Sequence, residues 1–191
     1  MKIRAFIAFE LKVEETIKNL SQFVEKLKQH QPKMKAVEPE NYHLTVKFLG
    51  NIEETQAKKI YDLIENDINN VYFKEGEKQY RLKGSGQFNR YSTIWVKVRG
   101  DTQVLQKIKD SLEELLKREL GIQKDKRKEF KAHLTIGRLK SNKINYKNFG
   151  AFKGIIKEQK NLDFGEFIID RLLLKKSDLT PKGPIYTTLT Y

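Results

Sequence analysis

Two nearly identical tetrapeptides place histidine and threonine at the same spacing in two parts of the sequence. They read HLTV at 43–46 and HLTI at 133–136, ninety positions apart, and the chain has only three histidines. At ordinary residue frequencies a given histidine precedes Leu-Thr about once in 200 cases, so two occurrences need an explanation. Either a strand was duplicated together with its side-chain pattern, or the two motifs form the two halves of one site.

The spacing has a physical meaning if each motif lies on a β-strand. Residues two apart in a strand project from the same face, so His43 and Thr45 would point together, as would His133 and Thr135. The Leu between them and the apolar fourth residue would point into the core. A duplication would keep the apolar positions for folding, but folding gives no reason to keep His and Thr. We therefore favour a paired active site.

Two imidazoles that face one pocket are suited to acid–base catalysis. The unperturbed pKa of histidine is about 6.5, so one ring can start neutral as the base and the other protonated as the acid. Threonine hydroxyls, with Lys or Arg nearby, can hydrogen-bond phosphate oxygens. A cyclic phosphodiester fits this arrangement: one His activates water and the other protonates the departing sugar oxygen. Because the motifs are so alike, the residues alone leave open which of His43 and His133 is the acid and which is the base.

Several other chemistries lack the residues they need. The sequence has no cysteine, which excludes disulfides, thiolate catalysis and cysteine-based zinc sites. It has no HExxH motif and no GxxxxGKS or GxxxxGKT loop, and two His with two Thr are an unusual set of metal ligands. The segment GSGQF at 84–88 lacks the lysine of a phosphate-binding loop and is interpreted as a hairpin turn. We expect no metal and no cofactor.

Composition indicates a folded, basic protein. The 191 residues are 38% hydrophobic, which is enough to build a core, and the net charge is +13. Positive charge of this size attracts polyanions, so nucleic acid is one expected partner, with a solvated lysine-coated surface as the alternative. The apolar run at 5–9 is too short for a signal peptide, and no segment is long enough to cross a membrane. A cytoplasmic location without membrane contact is expected.

The elements that would position the motifs alternate between strands and helices. Apolar periodicity predicts helices over 14–28, 52–68 and 101–120, the last with Gly121 as its stop. The segment 145–157 is ambiguous because Gly150 and Gly154 weaken a helical pattern. Strands are predicted over 3–11, 42–50, 80–88, 92–100, 132–140, 166–170, 171–177 and 185–191, with a turn at 180–184. The order predicts an α+β protein of two related lobes with one HLT strand in each, and no linker divides residues 1–191.

The motifs and their flanks resemble the 2H phosphoesterase superfamily, within it the 2′-5′ RNA ligase-like branch, the RNA 2′,3′-cyclic phosphodiesterases. The chain carries two HxTx motifs, and its flanking segments are similar to those of that branch nearly from end to end. These segments are RAFIAFEL, NYHLTVKFLGNI, GQFNRYSTIWVKV, FKAHLTIGRLK and LLLKKSDLTPKGPIYTTL. The segment usual between the central Phe and Trp strands is shortened here.

The resemblance implies a single domain of two interleaved lobes, a bilobal pseudo-twofold arrangement of two antiparallel sheets with flanking helices. The HxTx strands would line a central cleft. It also implies that His43 is the proton donor, that His133 is the proton acceptor, and that Thr45 and Thr135 hold phosphate oxygens. The implied reaction is metal-independent opening of an RNA terminal 2′,3′-cyclic phosphate to a 2′-phosphate. Some members join tRNA halves by a 2′-5′ bond without ATP, which is the reverse step. We expect a monomer.

The residues after the two motifs differ, and their roles are open. In an unbroken strand Arg138 would share the face of the core residues, but Gly137 could permit a bulge that turns it into the cleft. We favour a phosphate contact for Arg138 over a solvent-exposed strand end. Phe48, at the equivalent place after His43, would either stack on a base or pack in the core. Lys47 is interpreted as a solvated strand residue rather than a phosphate contact.

A basic run at 124–131 would either attract the RNA backbone at the rim of the cleft or form a mobile charged loop. Two other functions remain open at this point. One is a related 2H enzyme that acts on a small cyclic phosphate such as a cyclised ADP-ribose derivative. The other is an RNA-binding module that keeps the fold without turnover, although the intact His and Thr of both motifs argue against it.

Overall fold

The computed structural model describes residues 1–181 and 183–191, and its nine strands form two antiparallel sheets. Sheet A has the order β3-β1-β8-β9 and sheet B the order β2-β6-β5-β4-β7. The strands are β1 (Lys2–Glu10), β2 (Lys35–Ala36), β3 (His43–Glu53), β4 (Lys78–Phe88), β5 (Thr93–Arg99), β6 (His133–Arg138), β7 (Asp163–Ile169), β8 (Leu173–Thr180) and β9 (Gly183–Thr188). The predicted α+β class with two antiparallel sheets is confirmed.

Helices cover the two sheets, and their bounds follow local capping signals. They are α1 (Glu14–His30), α2 (Glu54–Leu63), α3 (Asn70–Tyr72), α4 (Thr102–Leu120) and α5 (Tyr146–Glu158), with a π-helical segment at Ile64–Asn69 between α2 and α3. The Asp101 side chain accepts a hydrogen bond from the Val104 amide and caps the start of α4. Gly121 ends the same helix in the left-handed conformation, as its position predicted. No helix in the described part of the chain is long and apolar enough to span a bilayer.

Several predicted boundaries are wrong, and glycine conformation explains two of them. Strand β3 does not end at Gly50 but continues to Glu53. Gly50, with a φ of 69°, lies at an irregularity within the strand, and pairing with β1 resumes after it. Helix α2 therefore begins at Glu54 rather than at 52. The segment 84–88 is not a turn but the end of β4, and the hairpin turn follows it. The ambiguous segment at 145–157 is helix α5.

The end of the chain forms a hairpin of β8 and β9 on sheet A. The predicted strand at 171–177 extends to Thr180, and β9 begins at Gly183. The turn predicted at 180–184 includes Lys182, which lies outside the described residues. This hairpin brings β8 next to β1, so sheet A is built from segments near both ends of the sequence.

A strand–helix–strand unit occurs twice, which gives the fold its pseudo-twofold character. In one copy α1 and the short β2 connect β1 to the antiparallel β3, and in the other α4 connects β5 to the antiparallel β6. Each helix packs on the sheet of the other copy. The Thr16 hydroxyl of α1 donates to the Glu166 carbonyl of β7 at 2.8 Å, while Lys109 of α4 donates to the Val46 carbonyl of β3 at 3.0 Å. The two copies are thus joined through their helices.

Both HLT strands contain a bulge at the same position. In the pairing of β3 with β1, the threonine and the fifth residue face consecutive residues of the neighbouring strand, so Val46 is an extra residue. The pairing of β6 with β5 has the same irregularity, and there Ile136 is the extra residue. A bulge moves every following side chain to the other face of the sheet. The predicted bulge after His133 is therefore present, and the first motif has one as well.

Candidate active site

One cleft lies where β3 and β6 approach each other, and both motifs line it. Its volume is about 400 Å³, within the usual range of small-ligand pockets. His43, Thr45, His133 and Thr135 all border it, as the alternation of the two strands predicted. The Leu and the apolar fourth residue of each motif are buried below. The structure therefore brings the two predicted His-Thr pairs together in one cleft.

Each histidine is held by a backbone carbonyl two residues before it. His43 Nδ1 lies 2.6 Å from the Asn41 carbonyl oxygen, and His133 Nδ1 lies 2.6 Å from that of Lys131. A carbonyl only accepts, so both Nδ1 atoms carry a proton and donate it. Each ring therefore keeps its Nε2 as the nitrogen that can accept or deliver a catalytic proton.

The bulges decide which side chains join the histidines in the cleft. In both strands the fifth residue of the motif region turns inward and the sixth turns outward. Arg138 is the sixth residue of the second strand, and the bulge turns it to the cleft, as Gly137 suggested; its phosphate contact stays a prediction. Its Nη1 donates to the Thr93 hydroxyl at 3.1 Å, which fixes the guanidinium beside the histidines. Phe48 is the sixth residue of the first strand, also borders the cleft and is 66% exposed, so the alternative of a core role is wrong.

Lys47 is neither solvated nor a phosphate contact, which corrects both predicted alternatives. The bulge turns it to the buried face, where its side chain is only 3% exposed. Its ammonium donates to Glu113 at 2.9 Å, to Asp125 at 2.6 Å and to the Gln123 carbonyl at 2.8 Å. These three partners satisfy its three N–H donors, so burial of the charge is compensated.

Lys109 completes this buried cluster beside the cleft. Its ammonium donates to Glu113 at 3.1 Å, to Asp125 at 2.6 Å and to the carbonyl of the bulged Val46 at 3.0 Å. Burial opposes ionisation of Asp125, but the hydrogen bonds from Lys109 and Lys47 outweigh it and the pKa of this carboxyl is lowered. Two lysines and two carboxylates thus form a charge-balanced cluster, here called the lysine–carboxylate cluster. It ties α4 and the loop after it to the bulge of β3.

The basic run at 124–131 is anchored at several points. Asp125 belongs to the lysine–carboxylate cluster, and Lys124 pairs with Glu114. The Phe130 amide donates to the Gln106 side chain at 2.6 Å. Further charges of the run that border the cleft include both Arg127 and Glu129. The segment 124–131 is therefore a loop that these contacts fix at the rim of the cleft, and it carries both positive and negative charges.

Burial lowers the pKa of both histidines below the ordinary value of 6.5. For His43, burial acts first; the charges of Lys175 and Arg138 lower the pKa further, whereas the Asn41 carbonyl and Glu10 oppose the shift. For His133, burial again dominates and Arg138 adds to it, while the hydrogen bond to the Lys131 carbonyl opposes it. Both rings thus favour the neutral form.

Aromatic rings surround both imidazoles, and the sequence reasoning did not single them out. Phe6 and Tyr186 lie 5.0 and 5.4 Å from His43 between ring centroids, and Tyr186 meets it edge-on. Phe88 meets His133 edge-on at 5.0 Å, with Trp95 at 6.2 Å. The sequence indicated only that Phe88 and Trp95 lie on strands and that Tyr186 lies in the terminal segment. Their place beside the histidines depends on sheet order, which no local pattern specifies.

The carboxylate and imidazole groups of the described residues do not form a set of metal ligands. Among residues 1–181 and 183–191, no three His, Cys, Asp or Glu side chains are grouped closely enough to hold a metal ion. The Glu10 carboxylate beside His43 is engaged by Lys175, which also donates to the Thr188 hydroxyl at 2.8 Å.

Known proteins resemble this chain over nearly its whole length. Residues 5–190 match the family model of the AKAP7 2′5′ RNA ligase-like domain. The RNA 2′,3′-cyclic phosphodiesterase of Methanocaldococcus jannaschii is 36% identical over 191 residues, 98% of each chain. That of Methanothermobacter thermautotrophicus is 31% identical over 196 residues, 99% of this chain and 97% of the relative.

Solved structures share the fold. The crystal structure of E. coli LigT in its apo form superposes with a TM-score of 0.71 at 19% identity, covering 100% of this chain and 96% of LigT. The structure of TT0787 from Thermus thermophilus superposes with a TM-score of 0.69 at 24% identity, covering 98% of this chain and 96% of that protein. Both similarities extend over the two sheets together.

Proposed function

The chain belongs to the 2′-5′ RNA ligase-like family of 2H phosphoesterases, and we propose that it hydrolyses RNA terminal 2′,3′-cyclic phosphates. The observation that carries the proposal is the pair of imidazoles in one cleft, each fixed through Nδ1 with its Nε2 left for proton transfer. The relatives in archaea that bear the name of this activity support the choice of substrate.

In the proposed reaction, His133 Nε2 accepts a proton from a water molecule as its oxygen attacks phosphorus. The bond between phosphorus and O3′ breaks, and His43 Nε2–H delivers its proton to the departing O3′. The product carries a 2′-phosphate and a free 3′-hydroxyl. One proton enters His133 and one leaves His43, so exchange with solvent restores both rings for the next turnover.

Thr45, Thr135 and Arg138 would bind the phosphate oxygens. The two hydroxyls stand one on each side of the cleft, on the same strand faces as the histidines. The guanidinium of Arg138 offers paired N–H donors of the geometry that phosphate prefers. Negative charge that accumulates on the oxygens during attack would be stabilised there without movement of the strands.

The assignment of acid and base to His43 and His133 comes from the family resemblance. Both pKa values are shifted downward, so the direction of the shift does not distinguish them. Their surroundings do differ, because Glu10 and Lys175 act on His43 alone. The negative charge of a bound cyclic phosphate would raise both values and permit one ring to be protonated.

The same arrangement would support the reverse step. If a ribose hydroxyl of a second RNA replaced water, the product would be a 2′-5′ bond made from a cyclic phosphate end, without ATP. RNA halves such as those of tRNA are candidate substrates for it. This extension depends on the proposed hydrolysis and uses the same two histidines.

Hydrolysis of a nucleoside 2′,3′-cyclic phosphate in excess chelator tests the proposal. We expect activity without added metal and a 2′-phosphate product, identified by phosphorus NMR. Replacing either His43 or His133 by Ala should lower kcat by about 10²–10⁴-fold. His30→Ala is the matched control, because His30 lies at the end of α1 and does not border the cleft. Full activity in either cleft variant would contradict the assignment.

The two rival functions predict other results in the same assays. An enzyme specific for a small cyclic phosphate would turn over a cyclised ADP-ribose derivative far faster than an RNA end. An RNA-binding module would bind a 2′-phosphate-terminated oligonucleotide tightly and hydrolyse neither substrate.

A further inference from the structure

A second groove opens from the cleft at Arg138. Its volume is about 810 Å³, and Thr93 and Arg138 border both the groove and the cleft. Beyond Arg138 the groove is lined by five further cationic side chains, here called the basic groove: Lys33, Lys35, Arg90, Lys140 and Lys143. All five are exposed.

The positive charge of the basic groove is not compensated. No Asp or Glu is among its lining residues. None of the five side chains, nor Arg138, forms an ion pair with a carboxylate in the part of the chain that the structure describes. By contrast, Lys47, Lys109 and Lys124 elsewhere in the protein are engaged by carboxylates. Cations that line one groove without neighbouring carboxylates favour the binding of a polyanion there.

The five cations come from separate segments of the chain. Lys33 and Lys35 follow α1, and Lys35 in β2 is paired directly with Arg138 of β6. Arg90 lies in the hairpin turn between β4 and β5, and the remaining two lysines follow β6. The five cations are therefore not simply neighbours in one basic stretch of sequence. The fold itself assembles the charge beside the cleft.

The hairpin turn that carries Arg90 is held in a costly conformation. Asn89, Arg90 and Tyr91 have φ angles of 47°, 54° and 69°, three consecutive non-glycine residues in the left-handed region. Each such residue is disfavoured, and strain of this kind concentrates at functional sites. The Tyr91 ring packs edge-on against the Phe149 ring, with 5.5 Å between their centroids, and the Tyr91 amide donates a hydrogen bond to Gln87 Oε1. The strained turn directs Asn89 and Arg90 to the groove.

Two other routes from the cleft present carboxylates, and a third, beside Phe48, is lined by a single cation, Arg4. The groove beside β9 is bordered by Glu38 and Glu40. The rim formed by the loop before β6 includes Asp125 and Glu129. An RNA backbone that left the cleft beside β9 would meet Glu38 and Glu40, and one that left past the loop before β6 would meet Glu129, whereas the basic groove presents no carboxylate and five cations.

We propose that the basic groove binds the backbone phosphates of the RNA strand that leads to the cyclic end. The preferred substrate is therefore an oligonucleotide with an unpaired 3′ end rather than a mononucleotide. This inference rests on the proposed function, because it takes the reacting phosphate to lie between the two histidines. It assigns to Lys33, Lys35, Arg90, Lys140 and Lys143 a contribution to oligonucleotide recognition that the reacting phosphate does not require.

The test compares an oligonucleotide and a mononucleotide, both ending in a 2′,3′-cyclic phosphate, with wild-type protein and a charge-reversal variant. Lys33→Glu/Lys143→Glu alters two exposed residues that border the groove and not the cleft. Lys58→Glu/Lys59→Glu makes the same charge change on exposed residues of α2 that border neither. The quantity to measure is the ratio of kcat/KM for the oligonucleotide to kcat/KM for the mononucleotide, across a series of salt concentrations.

We expect the ratio to fall roughly tenfold in the groove variant and to stay near the wild-type value in the α2 variant. The slope of log kcat/KM for the oligonucleotide against log salt should also become shallower by about one to two. A wild-type ratio in the groove variant, or an equal fall in both variants, would overturn the inference. Failure of wild-type protein to hydrolyse either substrate would instead contradict the proposed function. In that case, binding of a 2′-phosphate-terminated oligonucleotide by fluorescence anisotropy still decides whether the groove binds RNA.

Discussion

At the scale of single residues, the two imidazoles share a guanidinium and are shielded by aromatic rings. Burial among side chains that include Phe6, Tyr186 and Phe88 lowers the pKa of both rings, and the charge of Arg138 acts in the same direction. The free enzyme therefore has few protonated rings at neutral pH. The proposed mechanism uses one ring as the acid and the other as the base, so it predicts that the protonation state of the two rings determines the rate.

The first prediction concerns the pH dependence of kcat/KM for a mononucleotide. Because kcat/KM reports the free enzyme, the protonated acid is lost as pH rises through a pKa that lies below 6.5. We expect kcat/KM to fall about tenfold per pH unit above pH 7. The alkaline limb of kcat should lie at higher pH, because bound phosphate raises the pKa of the rings. An alkaline limb of kcat/KM above pH 7 would contradict the lowered values.

The second prediction separates the charge of Arg138 from its geometry. Arg138→Gln removes a positive charge that lowers both histidine pKa values, so the alkaline limb of kcat/KM should move to higher pH. Loss of the proposed phosphate contact should lower kcat by about 10²–10³-fold. Arg138→Lys should leave the alkaline limb of kcat/KM at the wild-type pH but lower kcat strongly, because an ammonium lacks the paired donors of a guanidinium.

Arg127→Gln is the control for the alkaline limb, since Arg127 borders the cleft but is not among the main charges that shift the pKa of His43 or His133. If the limb moves equally in the Arg127 and Arg138 variants, the effect comes from net charge rather than from the position of Arg138.

Strand alternation alone correctly predicted which face of the strand each residue before the bulges occupies. His43, Thr45 and their counterparts precede the bulges, so a period of two places them correctly. The residues after the bulges were harder. Gly137 suggested a bulge in the second strand, but nothing in the first strand signals that Lys47 turns inward. Its buried place depends on Glu113 and Asp125, which are distant in sequence.

At the scale of elements, the lysine–carboxylate cluster connects a helix, a loop and a bulge. Lys109 binds the carbonyl of the bulged Val46, and Asp125 binds both lysines. A bulge leaves backbone groups outside the regular ladder, and here one of them is satisfied by a buried ammonium. The cluster therefore stabilises the strand geometry that sends Phe48 into the cleft.

The third prediction concerns the stability of this cluster. Lys47→Met removes one of the two ammonium partners of the buried Glu113 and of the partly exposed Asp125, and breaking a buried pair of this kind costs about 3–5 kcal/mol. Lys12→Met removes an exposed pair with Asp170 and should cost no more than about 1 kcal/mol. Urea denaturation followed by CD measures both free energies of unfolding. Equal costs for the two variants would show that the cluster is energetically equivalent to a surface pair.

Helix α5 shows why some elements could not be predicted. Gly150 and Gly154 lower helix propensity, which left 145–157 ambiguous. In the structure both face open space, while Phe152, Ile155 and Ile156 are buried beneath. Packing of the apolar face outweighs the cost of two glycines, and a local pattern does not show what that face packs against.

At the scale of the whole molecule, the exchange of helices makes the two sheets depend on each other. Helix α1 packs on sheet B although β1 before it belongs to sheet A, and α4 binds β3 of sheet A through Lys109 although β5 and β6 on either side of it belong to sheet B. The amphipathic patterns predicted that each helix has a buried face, but not which sheet it covers. Interleaved lobes were expected only from the family resemblance.

The fourth prediction is that both sheets unfold together. Trp95 is the single tryptophan and lies on β5 of sheet B, whereas Lys47 lies on β3 of sheet A. Lys47→Met should shift the urea midpoint seen by Trp95 fluorescence as far as the midpoint seen by far-UV CD. A fluorescence midpoint that stays at the wild-type value would mean that the lobes unfold independently.

The position of β1 between β3 and β8 has a consequence for synthesis on the ribosome. Sheet A cannot be completed until β8 and β9 have left the ribosomal exit tunnel, and these strands supply Lys175 and Tyr186 to the surroundings of His43. Contacts between distant parts of a chain also form slowly. A nascent chain that already carries both histidines therefore still lacks a finished cleft, and RNA can meet both imidazoles in a complete cleft only after β8 and β9 have emerged.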